Sequence, residues 1–64
     1  MTQKELLYVE DAIGHESNII KICENTIDTL EDEELVSFMD KELKKHTSMH
    51  KKLISLLEEK SNEW

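Results

Sequence analysis

The apolar residues of this chain follow two helical frames that differ by two residues, and that break constrains the fold more than any other feature. Leu6, Val9, Ile13, Ile20, Cys23, Ile27 and Leu30 recur at alternating steps of three and four, with Glu16 as the one polar member of the stripe. This is the heptad-like spacing of a helix that packs along one face. Continued past Leu30, the same frame would place Glu34, Lys41, Ser48 and Ser55 on the seam. A second frame restores an apolar stripe through Val36, Met39, Leu43, His46, His50, Leu53 and Leu57. A continuous coiled coil tolerates insertions of three or four residues, not two. The shift therefore predicts a turn near Leu30–Asp32, with Asp32 as N-cap and Glu33 and Glu34 at the positive end of the second helix dipole.

The rest of the sequence agrees with two long helices. There is no Pro and one Gly, so strands and tight turns lack the residues they need. Thr2-Gln3-Lys4-Glu5 has the form of a capping box at the start of the first helix. The expected architecture is all-α, one domain over 1–64. Helix 1 would span about 3–30 and helix 2 about 33–60, each about 42 Å long. Equal helices with a short connection form an antiparallel hairpin. In it, residues whose numbers sum to about 63 lie at one height. Trp64 is expected to fray or fold back as a small anchor.

One hairpin leaves too much apolar surface. Ala12, Ile19, Tyr8 and Ile22 widen the arc of helix 1. Leu35, Met49 and Leu56 form a flank on helix 2, with Phe38 and Ile54 placed elsewhere. Arcs wider than about 100° meet more than one neighbour, and a chain of 64 residues buries little by itself. Both points predict a C2 homodimer closing a four-helix bundle. Gly14 lies off the seam, where it either admits a neighbouring helix or stands exposed.

Charge narrows the partners. The net charge is −7, which argues against nucleic acid and anionic membrane. Ten of the 15 acidic residues and two of the eight lysines fall in residues 1–34, so helix 1 is acidic and helix 2 slightly basic. No apolar run approaches the ~18 residues of a membrane span, and no basic-then-apolar leader opens the chain. A cytoplasmic protein is expected. Cys23, on the seam, reads as a small buried hydrophobe.

The candidate site is the polar set on the apolar face: Glu16 on helix 1, with Glu42, His46 and His50 on helix 2. Glu42, His46 and His50 recur every four residues and share one face, and Glu16 falls at the height of His46. Three arrangements are open. A hydrogen-bonded Glu–His layer would set helix register. The same residues could form a metal site, since imidazole and carboxylate on facing helices suit Zn, Fe or Mn. In a rotated hairpin the groups would reach solvent. His46 and His50 make a two-point ligand pair but lack the Glu of the H-E-x-x-H motif. His15 lies off the seam and is expected to be exposed. No phosphate loop or catalytic triad is present.

The stretch from Leu30 through Glu31-Asp32-Glu33-Glu34-Leu35-Val36-Ser37-Phe38-Met39-Asp40-Lys41-Glu42-Leu43, with His46, His50, Leu53, Leu57 and the closing Trp64, resembles the second helix of the F-type spore coat proteins. The resemblance implies a ferritin-like helical fold and a place in the spore coat. Glu42 and His46 stand four apart, whereas ferritin-like di-iron proteins use Glu-x-x-His. The expected function is therefore a non-enzymatic structural or assembly protein without a cofactor. The alternatives are an Fe-, Zn- or Mn-binding bundle built on Glu16, Glu42, His46 and His50, and a small helical regulator docking on a larger protein.

Overall fold

The helix ends explain the hairpin. The computed structural model describes residues 1–61, Ser61 by its backbone alone, so the expectation for Trp64 lies outside the described residues. Helix α1 runs Gln3–Thr29 and helix α2 runs Glu33–Ser61, and the two pack against each other with no strand among the described residues. At the start of α1 the capping box closes in both directions. The Glu5 N–H donates to Thr2 Oγ1 at 3.1 Å, and the Thr2 N–H donates to Glu5 Oε1 at 2.8 Å. Two of the donors that a helix N-terminus leaves over are thereby paired.

Helix α1 ends one residue before the expected boundary. Leu30 still donates its N–H to the Thr26 carbonyl at 3.1 Å, but its own backbone is extended, at φ −81° and ψ 140°. Asp32 then restarts the ladder. Its Oδ1 accepts from the N–H groups of Glu34 and Leu35 at 2.9 and 3.1 Å, and its carbonyl accepts from Val36 at 3.0 Å. No described residue has a positive φ, so the turn needs no glycine.

Every residue of the two expected stripes is buried or half-buried, polar members included. The seam is thin all the same. Among the described residues Cys23, 3 % exposed, is the one buried apolar side chain. Tyr8, Ile22, Leu35, Phe38, Met49 and Leu56 are exposed. Phe38, expected apart from the Leu35–Met49–Leu56 flank, belongs to it. It stands 11 residues before Met49 and 18 before Leu56, three and five helical turns. Leu7 and Ile54 lie on the opposite side of the hairpin. No helix is long and apolar enough to cross a membrane among the described residues.

Two predictions follow from the helix ends and the glycine. Hydrogen bonds from Thr2, first the backbone N–H and then the side chain, hold the Glu5 carboxyl below its ordinary 4.5. A lowered folded value means the capping box stabilises α1 above pH 4.5 and is lost as the pH falls through the folded value. The Glu5 side-chain titration, followed by NMR, should have its midpoint below 4.5, with the first turn of α1 fraying in the same range. A Cβ built on Gly14 meets nothing within 4 Å, and its φ is helical. Gly14→Ala should therefore stabilise the fold by about 0.5–1 kcal/mol, read as a raised urea midpoint. A loss would mean that another helix packs tightly there.

Candidate functional site

The two helices bring three of the four sequence candidates together at mid-length. Glu16 enters from α1 at a seam position and is 9 % exposed. His46 enters from the facing seam position of α2. His46 Nδ1 and Glu16 Oε2 stand 2.5 Å apart, a short charge-assisted hydrogen bond. The carboxylate is an acceptor only, so the ring nitrogen donates. One turn earlier on α2, Glu42 Oε2 lies 3.5 Å from His46 Nε2. That is ion-pair range, longer than a good hydrogen bond. With a carboxylate on each ring nitrogen, both ring positions face acceptors.

Burial falls along this chain of groups. The side chains of Glu16, His46 and Glu42 are 11 %, 18 % and 33 % exposed. The inner bond is shielded from water, and the outer one opens toward a face of the hairpin. Around it the polar atoms are satisfied. Thr47 Oγ1 donates to the Leu43 carbonyl at 2.7 Å, and no buried side-chain nitrogen or oxygen lacks a partner among the described residues.

His50 is half-buried and is not joined by hydrogen bond or ion pair to this group. His15 is exposed, as its position off the seam predicts. The geometry is that of a hydrogen bond and not of two atoms on one ion. Ligand atoms about 2.1 Å from a tetrahedral metal stand about 3.4 Å from each other. Glu16 and His46 stand closer, with a proton between them. No group of three or more His, Cys, Asp or Glu side chains is arranged to hold a metal ion among the described residues.

The feature that reading the helices separately missed is a second surface. Its residues each stand one place before a seam residue: Glu5, Tyr8, Ala12, His15, Ile19, Ile22, Thr26 and Thr29 on α1, and Leu35, Phe38, Glu42, Lys45, Met49, Lys52 and Leu56 on α2. One residue back is a turn of about 100° round each helix. The helices face each other and run in opposite directions, so turns of the same hand bring both stripes to the same side of the hairpin. The opposite side carries Glu10, Ser17, Lys21, Glu24 and Asp28 with Lys44, Thr47 and Lys51, and an Asp40–Lys44 ion pair at 3.0 Å. The hairpin is two-faced, with most of the exposed large apolar residues on one side and a mainly charged and polar surface, interrupted by Leu7 and Ile54, on the other. At its open end Met1, Glu5, Val9, Leu56, Leu57 and Lys60 line a depression of about 310 Å³.

Compared with protein-family models, curated proteins and solved structures, the chain finds no match.

The Glu16–His46 bond can be broken from either side. Glu16→Ala strands the ring donor, 18 % exposed, and His46→Leu strands the carboxylate, 11 % exposed. Each variant should cost about 2–3 kcal/mol in chemical denaturation, His46→Leu at least as much as Glu16→Ala. Small losses from both variants would mean that water reaches the partner left behind.

Proposed function

We propose that the chain is a non-enzymatic structural protein that works by self-association, two hairpins closing one four-helix bundle. The observation that supports this is the exposed apolar side of the hairpin. Tyr8, Ile22, Leu35, Phe38, Met49 and Leu56 are each at least 41 % exposed and share one face. Isolated exposed apolar residues are ordinary, but a contiguous row along one side of a molecule marks an interface. A 64-residue chain with a single buried apolar side chain among the described residues also needs core from elsewhere.

The Glu16–His46–Glu42 group has in this reading a positional role. It fixes which part of α1 faces which part of α2, and so the shape that the apolar side presents. The likeness of 30–64 to the F-type spore coat proteins makes a coat layer the proposed setting, and a ferritin-like arrangement of four helices the proposed assembly. A small helical regulator would use the same face on a different protein. A metal-storage bundle would need Glu16, Glu42, His46 and His50 to turn from one another toward an ion.

The measurement is light scattering coupled to gel filtration at micromolar concentration. The 7.5 kDa chain should run as a folded particle of about 15 kDa. Phe38→Glu should shift it to monomer, because a charge buried in an apolar interface is left without solvent. A folded monomer for the unaltered chain would overturn the reading. Elemental analysis of untagged protein should find no stoichiometric Fe, Zn or Mn, and metal bound at one per chain would favour the storage bundle instead.

A further inference from the structure

We infer that two copies pair through this apolar side about a two-fold axis that runs along the hairpin, so that α1 of each copy lies antiparallel on α2 of the other. The inference rests on the self-association proposed above and specifies its geometry. The occupant of the face is a second copy because the face has the size and the charge pattern for one. The molecule measures 48 by 15 by 11 Å, which makes its broad side on the order of 700 Å². A standard interface takes about 800 Å² from each partner.

Charge chooses between the two ways of laying one hairpin on another. With the axis across the helices, α1 would lie on α1, and its six acidic residues and two lysines between Gln3 and Thr29 would meet the same set. With the axis along the helices, α1 meets α2, whose six lysines balance its six acidic residues between Glu33 and Ser61. Each acidic helix then lies between two neutral ones, and the two α1 helices are not adjacent.

The long axis also fixes the register between copies. Rotation about an axis parallel to the helices leaves each residue at its height. Glu16 and His46 set the rule within one hairpin, with numbers summing to about 62. The same rule then governs contacts between copies. Tyr8 of one copy comes level with Leu56 of the other, Ala12 with Met49, Ile22 with Phe38 and Thr26 with Leu35, each within about two residues, a ~3 Å offset. Of the polar members of the stripes, His15 and Lys45 fall at the level of the Glu16–His46 layer and Glu42 one turn from it, while Thr26 lies nearer the connection and Lys52 nearer the open end. His15, Lys45 and Glu42 continue that layer across the bundle.

On this side of the hairpin the rule also brings opposite charges together. Asp11 comes level with Lys52 of the other copy, and Lys4 with Glu59. All four are exposed, and each pair occurs twice by symmetry. Within one hairpin neither pair forms an ion pair. The pairs are therefore a signature of this packing alone.

The test mixes unlabelled and ¹⁵N-labelled protein, lets the copies exchange, and treats the mixture with a carbodiimide, which joins a carboxylate to a lysine only when they touch. Mass spectrometry should find Asp11–Lys52 and Lys4–Glu59 links that carry one light and one heavy peptide. Asp11→Lys should weaken the dimer about tenfold, two repulsive pairs replacing two attractive ones. Adding Lys52→Asp should restore most of that loss. A monomer throughout would overturn both the self-association and the packing. A dimer without isotope-mixed links between α1 and α2, or one that the second substitution does not rescue, would overturn this packing alone and leave self-association standing.

Discussion

The hydrogen bond between Glu16 and His46 decides the register on which the rest of the hairpin depends. A seam made only of aliphatic residues is tolerant of slip, because Leu, Ile and Val differ little in what they bury. A slip of one heptad would bring Glu16 to the level of Met39 or Leu53. The carboxylate would then sit in the seam without a donor, at the cost of a stranded buried charge. The pair is thus worth more in excluding wrong alignments than in stabilising the right one. It supplies what the three-residue connection and the thin seam do not supply by themselves.

Register, in turn, is what makes the outer face coherent. The stripes that precede the two seams form one surface only when the helices are aligned and antiparallel. Shift one helix by half a heptad and Phe38 no longer comes level with Ile22, nor Met49 with Ala12. The same polar layer that costs the hairpin some apolar burial therefore organises its exposed apolar side. The seam buries only enough to hold two helices, and the larger apolar side chains are left on that outer face.

Much of this was legible in the residues. The two-residue shift between the Leu6–Leu30 and Val36–Leu57 stripes placed the turn, because helical phase is a local property with a fixed period. Thr2, Glu5 and Asp32 marked helix ends, since capping depends on side chains a few positions away. Glu16 and His46 were legible as a pair once the hairpin had been assumed. Their direct bond, and the isolation of His50 from it, were not. Which nitrogen meets which oxygen depends on rotamers and on fractions of an ångström in helix separation. Phe38 was misplaced for a different reason: it follows Leu35 by three residues, but Glu42 and Lys45 interrupt the flank before Met49 and Leu56 resume it 11 and 18 residues on.

By itself, then, the sequence determined the two helices, their ends, their seam and the unequal charge they carry, all of which follow from interactions within a few residues along the chain. Only the tertiary structure decided that the paired stripes lie on one side, that Glu16 is shielded while Glu42 opens outward, and that Cys23 is the one buried apolar side chain among the described residues. These depend on the hand of the antiparallel pairing and on the distance between helices. Both are relations between residues far apart in the chain, and no periodicity within a single helix encodes them.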